Sequence, residues 1–217
     1  MENMHVMAVA VTSLDGFIAG PNGAPPNQIK KGGWTSPEDK GIFKRLFKST
    51  GVAIIGSSTL LQSPKMWAKL SRKHEVPLVV VHRGLDGART TGILSALGRA
   101  DSDSCMVCPA NHPCPRDAIA RLQEKYGELD MGNEALVVGG TMTYTWLRNV
   151  VHRWVVVVEP VFLGAGRGLF SASAAGFAPP VFLDAANCEG AVVLNDRGTV
   201  AFDLVPMADE EVPNGRS

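Results

Sequence analysis

The 217-residue chain has no surplus of charge: Lys+Arg and Asp+Glu are both 21. Neutralising a nucleic-acid backbone needs excess cations, so a broad nucleic-acid-binding face is excluded and only a local basic pocket stays open. No apolar run approaches the roughly 20 residues that span a bilayer. The start, Met1-Glu2-Asn3-Met4-His5, lacks the basic region of a secretory signal. The first apolar run ends in Ser13-Leu14-Asp15-Gly16, not in a small-residue cleavage site. The expectation is a cytoplasmic protein without a membrane partner. There is no internal linker and no repeat, so one domain is expected over residues 1–206. The polar, acidic stretch 207–217 reads as a disordered tail.

Cysteine is scarce, with four residues: Cys105, Cys108, Cys114 and Cys188. Cys105-x2-Cys108 with His112 and Cys114 nearby would make a four-ligand zinc set. A second paired knuckle is missing, and Pro109, Pro113 and Pro115 crowd the loop. The expectation is therefore no metal, with Cys105-Met106-Val107-Cys108 a short buried strand. Other signatures are missing too. There is no Gly-x-x-x-x-Gly-Lys phosphate loop, no Gly-x-Ser-x-Gly elbow, and no Gly-x-Gly-x-x-Gly opening the first helix. The five histidines are scattered. Glu38-Asp39 reads as helix-start electrostatics, not as an acid/base couple.

What is present is an alternation of buried strands and helices. Residues 6–11 form an unbroken apolar run, as in a strand covered on both faces. Residues 20–35 are rich in Gly, Pro and Asn and predict a long loop, of the kind that often forms lids. Ser36-Pro37-Glu38-Asp39 opens a helix, with Ile42, Phe43, Leu46 and Phe47 facing the core. Strands follow at 51–56, 78–81, 135–138 and 154–158. Helices are expected at 116–126 and from Gly139-Gly140 to about 150. Strand-helix alternation predicts an α/β fold with a mainly parallel central sheet and helices on both faces. The end differs: 181–183, 191–194 and 200–205 read as strands, and Asn195-Asp196-Arg197-Gly198 as a hairpin turn, giving an antiparallel C-terminal edge.

Three strand ends carry anion-binding chemistry. Gly139-Gly140 lies where a strand gives way to a helix, and Thr141 adds a hydroxyl. Helix starts present N–H groups to phosphate, and glycine lets the phosphate approach. The bland alternative is a plain strand-to-helix turn. Gly56-Ser57-Ser58-Thr59 repeats the pattern. His82-Arg83 ends the third strand, where an arginine either pairs with a phosphate or is simply solvated. Open α/β sheets bind ligands outside the C-terminal ends of their strands, so the three reinforce one another. Gly164-Ala165-Gly166-Arg167-Gly168 reads as a tight loop between antiparallel strands.

Several stretches in order resemble the dihydrofolate-reductase-like family, in particular the reductase domain of the bifunctional riboflavin-biosynthesis deaminase-reductase. They are Ser13-Leu14-Asp15-Gly16-Phe17-Ile18-Ala19, Trp34-Thr35-Ser36-Pro37-Glu38-Asp39, Ala53-Ile54-Ile55-Gly56-Ser57-Ser58-Thr59, and Val137-Val138-Gly139-Gly140 with Pro160-Val161-Phe162-Leu163-Gly164-Ala165-Gly166. The zinc motif of the deaminase half is not in this sequence. The resemblance implies a dihydrofolate-reductase-like domain that binds NADPH. Gly56, Ser57 and Thr59 would meet the cofactor phosphates, and His82 and Arg83 the 2′-phosphate. Gly139, Gly140 and Thr141 would cradle the pyrophosphate, with Tyr144 beside them. Ser13 and Asp15 would border the reacting centre, Asp15 being either a proton donor or a turn former before Gly16. Trp34 and Thr35 would touch a small-molecule substrate, and the 20–35 loop would close over it. A homodimer is also implied.

The departures concern substrate. The riboflavin-pathway pattern has a lysine in the first strand, where this chain has Val9. It has an arginine near the end of the first helix, where Phe47 stands. It often has a glutamate before the diglycine, here Val138, and Asp-Glu where His152-Arg153 stand. Anchors for a ribityl phosphate are thus lost. The expected function is NADPH-dependent reduction of a small heterocyclic, carbonyl or imine compound. The rivals are the riboflavin-pathway reaction with Arg45, Lys48 or Lys30-Lys31 as substitute anchors, a nucleotide-binding sensor without turnover, and a zinc-stabilised interaction protein.

Overall fold

The computed structural model describes residues 4–20, 35–82, 87–96, 105–109, 115–126, 134–170 and 186–206. Its strands are β1 (His5–Ser13), β2 (Phe17–Ala19), β3 (Val52–Gly56), β4 (Leu78–His82), β5 (Cys105–Pro109), β6 (Glu134–Val137), β7 (Arg153–Glu159), β8 (Arg167–Gly168), β9 (Ala186–Val193) and β10 (Val200–Pro206). The helices are α1 (Pro37–Ser49), α2 (Ser57–Gln62), α3 (Pro64–His74), α4 (Gly87–Ala96), α5 (Pro115–Tyr126) and α6 (Thr141–Leu147), the last continuing as a 3-10 turn over Arg148–Val150.

Eight strands form one sheet in the order β5-β4-β3-β6-β1-β7-β10-β9. The pairings from β5 to β7 are parallel. β10 runs antiparallel to both β7 and β9, so the sheet ends in the expected antiparallel edge. Side chains alternate across the sheet. Val6, Ala8 and Ala10 of β1 face a core with Ile119 and Leu122 of α5 and Leu147 of α6. Met7 and Val9 face a second core with Ile42 and Phe47 of α1, Leu60 of α2 and Trp67 of α3. Two covered faces explain why β1, β3 and β4 read as unbroken apolar runs.

α1 starts as its sequence requires. The Ser36 hydroxyl accepts from Asp39 N at 3.1 Å, Pro37 opens the first turn, and Glu38 and Asp39 sit at its positive end. The hairpin between β9 and β10 closes with Gly198 N on Asn195 O at 3.2 Å. Two readings need adjusting. Arg167-Gly168 is β8, paired antiparallel with β2 in a small separate sheet, so the glycine-rich segment is part strand. β9 begins at Ala186 rather than 191, because pairing with β10 holds Asn187 and Cys188 extended. The expected strand at 181–183, the 207–217 tail and the 21–34 loop lie outside the described residues. So do the side chains of Cys105, Cys108, Cys114 and Cys188. Among the described residues, no helix is long and apolar enough to cross a membrane, and none groups into a metal-ligand cluster.

Candidate functional site

The C-terminal ends of β3, β4 and β6 open into one cleft of about 740 Å³. Gly56 lines it from the end of β3, Ser57 and Thr59 from α2, His82 from β4, Gly140 from the turn before α6, and Thr141 from α6. Six of the predicted residues therefore meet in one place. Among the described residues, no side chain caps the start of α2 or of α6.

The glycines are needed here for two reasons. Gly139 and Gly140 have φ of +137° and +93°, a region that L side chains rarely adopt. A Cβ on Gly56 would stand 2.6 Å from Thr143 Oγ1, so α6 can approach the end of β3 only over a bare backbone. Gly139 lies behind the lining, its carbonyl accepting from Gly56 N at 3.1 Å. His82 is 4% exposed, and among the described residues neither of its ring nitrogens has a hydrogen-bond partner. A buried imidazole left unsatisfied beside a cleft is a position that a ligand would complete. Exposed apolar Leu61 and Met142, with Trp146, give the cleft a face for flat rings. A bare glycine cradle, uncapped helix starts and an unsatisfied histidine suit a phosphorylated dinucleotide.

The other predicted residues that are described fall elsewhere. Tyr144, expected at the cofactor, has its ring in the core against Trp154, and its hydroxyl donates to Val9 O at 2.5 Å. Burial first, then the charge of Asp39, pushes its phenol well above the ordinary value. Its place in the core is fixed by the α6 periodicity, which turns Tyr144 and Leu147 inward together. Ser13 is buried, donating to Asp15 Oδ1 at 2.6 Å and accepting from Phe17 N at 3.0 Å. Asp15 also accepts from Leu163 N at 3.1 Å and Gly164 N at 2.7 Å. Desolvation raises the Asp15 carboxyl, but the bonds from Ser13, Gly164 and Leu163 outweigh it and hold it below its ordinary value. A carboxylate held ionised by three donors is a turn anchor and a poor proton donor, so of its two expected roles the geometry favours the turn. Thr35 precedes the α1 cap and is half-buried. Arg83 and Trp34 lie outside the described residues.

Three features escaped the sequence reading. Arg167 on β8 is exposed and lines the cleft beside Thr141, whose hydroxyl donates to Gly168 O at 2.7 Å. Gly92 and Ile93 of α4 form the opposite wall. The third is a pair of buried carboxyls, Asp39 at 8% exposure and Glu159 at 3%. Desolvation, then the Glu159 charge, lifts Asp39 from 3.8 to about 7, with Lys40 opposing. In sequence the two lie 120 residues apart, and only the docking of α1 on the end of β7 joins them.

The family model of the RibD C-terminal domain matches residues 4–178. The chain belongs to this family. Its fold is that of dihydrofolate-reductase-like domains, and solved structures agree. A protein of Shewanella sp. PV-4 assigned to riboflavin biosynthesis superposes with a TM-score of 0.61 at 18% identity, over 94% of this chain and 100% of that one. A diaminohydroxyphosphoribosylaminopyrimidine deaminase/5-amino-6-(5-phosphoribosylamino)uracil reductase of Thermotoga maritima gives 0.62 at 13% identity, over 94% of this chain and 57% of that one. RibD of Acinetobacter baumannii gives 0.60 at 16%, over 94% and 58%. The chain thus spans somewhat over half of the two longer proteins. At these identities the likeness concerns the fold. No curated protein sequence is significantly similar to the chain.

Proposed function

We propose that this RibD-family domain is an NADPH-dependent reductase that binds the dinucleotide in the cleft at the ends of β3, β4 and β6. The observation that carries the reading is the convergence of Ser57, Thr59, His82, Gly140 and Thr141 on one cavity. Gly140 would let the pyrophosphate reach the amides of α2 and α6, while Gly56 and Gly139 leave room for Thr143 and Thr59. Arg167 would pair with a phosphate. His82 and the neighbouring Arg83 would meet the 2′-phosphate and select NADPH over NADH. The cofactor supplies the hydride. The protein's contribution is to orient it and to exclude water.

The substrate in this reading is a small heterocyclic, carbonyl or imine compound. Three of the departures from the riboflavin-pathway pattern, Val9, Phe47 and Val138, are core residues here, whereas His152 is exposed and Arg153 half-buried. Phe47 is fully buried against Trp67, and Val9 is buried with its carbonyl taken by Tyr144. Arg45 and Lys48 line a different groove, with Lys44 and Lys73. That groove is on the far half of α1, whose 13 residues extend about 20 Å from the sheet end that bears the site. The second reading, reduction of the aminouracil phosphate of riboflavin synthesis, is favoured by the family match over residues 4–178.

A thermal-shift titration tests the cofactor. Ligand at 100 times its dissociation constant should stabilise the protein by about 2.7 kcal/mol. NADPH is expected to do so well below the concentration at which NADH does, and Arg83→Ala to narrow the difference. Equal shifts from both, or none, would contradict the reading. NADPH consumption with the aminouracil phosphate separates the two substrates: rapid turnover favours the second reading.

A further inference from the structure

The chain that follows β7 runs from the end of the sheet to the cleft, and a series of contacts fixes its course. β7 ends at Glu159, whose carboxylate accepts from Ser36 N at 2.6 Å and from Thr199 Oγ1 at 2.9 Å. The turn between β1 and β2 then takes hold of the chain. Leu14 N donates to Val161 O at 2.9 Å. The Asp15 carboxylate accepts from Leu163 N at 3.1 Å, from Gly164 N at 2.7 Å and from the Ser13 hydroxyl at 2.6 Å. An ionised carboxylate has lone pairs enough for all three donors, whereas an amide oxygen does not. Gly166 next passes so close to β2 that a Cβ on it would stand 2.2 Å from Ala19 O. Over that bare contact, Arg167 and Gly168 pair with β2. The Thr141 hydroxyl donates to Gly168 O at 2.7 Å. Leu169 and Phe170 then enter the core, the Phe170 ring edge-on to Trp154 at 5.4 Å.

Arg167 therefore stands between two clamps, Asp15 before it and Thr141 after it. Residues 164–167 are exposed, so burial does not fix them. An arginine side chain loses rotamer freedom when it grips a ligand, and a loose backbone beneath it would add to that cost. Among the described residues no carboxylate pairs with Arg167, which leaves its charge to the cleft that it lines. Thr141 lines the same cleft, but its hydroxyl hydrogen is spent on Gly168 O. A hydroxyl has one hydrogen to donate, so Thr141 has none for an anion.

Resting on the NADPH-reductase reading, we propose that Asp15 and Thr141 are positioning residues that hold the β2–β8 ribbon so that Arg167 meets a phosphate of the cofactor. Their side-chain hydrogen bonds act on the backbone on either side of Arg167, and the guanidinium makes the phosphate contact. Holding that backbone in the free protein moves part of the ordering cost from binding to folding. Cofactor affinity is thus set in part by the turn between β1 and β2, which does not line the cleft.

Double-mutant cycles read by calorimetric titration of NADPH test this. Arg167→Ala should weaken binding about tenfold or more, as loss of a charge-assisted hydrogen bond does. Asp15→Ala and Thr141→Val should each weaken it by roughly threefold to tenfold. Added to Arg167→Ala, either one should cost less than about twofold further, because the group it positions is gone. Thr141→Ser keeps the hydroxyl and should bind like wild type. Losses from Asp15→Ala and Thr141→Val that are as large without Arg167 as with it would overturn the proposal. So would undiminished affinity in both variants. A second measurement needs no cofactor. Amide hydrogen exchange at Leu163 and Gly164 should quicken at least about tenfold in Asp15→Ala while the amides of β1 and β7 keep their protection. Unchanged exchange at those two amides would overturn the Asp15 clamp. Absence of NADPH binding in wild type would overturn the cofactor reading and the phosphate contact with it, and the exchange result would then decide the clamp alone.

Discussion

Burial of Asp39 has a consequence for stability. Its carboxyl is lifted to about 7 in the folded chain, whereas an exposed aspartate titrates at 3.8. Between those values the native state holds a proton that the unfolded chain has lost, so stability falls as pH rises from about 4 to 7. Asp39→Asn removes this term. The variant should gain on wild type over that range, by at most about 4 kcal/mol, since one pH unit is worth 1.36 kcal/mol. Urea denaturation at pH 5 and pH 8 measures the change; an identical difference at both would show that Asp39 is not buried as an acid. The same residue marks where sequence reading stops. Ser36-Pro37-Glu38-Asp39 was legible as a helix start, and Asp39 was accordingly read as helix electrostatics. Nothing local says that β7 brings Glu159 to it. Asp15 is the converse: it stands beside Gly16 in a suggestive motif, yet its partners at Leu163 and Gly164 make it an anchor.

Elements with strong local signals were readable. β1, β3 and β4 are apolar on both faces because helices cover both sides of the sheet. α1 and α5 show their stripes, and Asn195 to Gly198 show a turn. α4 was not anticipated, since Gly87, Gly92 and two threonines give it weak helix propensity. Only its packing beside α2 explains it. For that reason one wall of the cleft was invisible in the sequence, and with it Arg167, hidden in a segment that resembles a loop. α1, by contrast, depends on its cap. Ser36→Ala removes the acceptor for Asp39 N and should cost about 1 kcal/mol. Glu159 would keep its bond from the residue-36 amide, so the helix should remain in place. Chemical denaturation gives the loss, and a loss below about 0.3 kcal/mol would mean that the Glu159 bond alone sets the helix start.

At the scale of the whole molecule, the order of strands decides the chemistry. Placing β3, β4 and β6 side by side turns three short strand-end motifs, dispersed over 85 residues from Gly56 to Thr141, into one cavity. The far edge has a different character. β9 is an outer strand that exposes Val192 and Val193 at 59% and 68%. An edge that is unpaired among the described residues and carries bare apolar side chains invites pairing, and a second copy of the chain is the expected occupant. Sedimentation equilibrium should show a dimer that Val192→Lys with Val193→Glu disrupts; a wild-type monomer at micromolar concentration would refute it.

The most direct test of the cleft as a dinucleotide site is calorimetric titration of NADPH into wild type and Arg167→Glu. Arg167 is exposed, so reversing its charge leaves the core untouched. The account predicts one site per chain in wild type and at least about tenfold weaker binding in the variant, as expected when a charge-assisted phosphate contact becomes repulsive. No heat of binding in wild type, or equal affinity in both proteins, would contradict it.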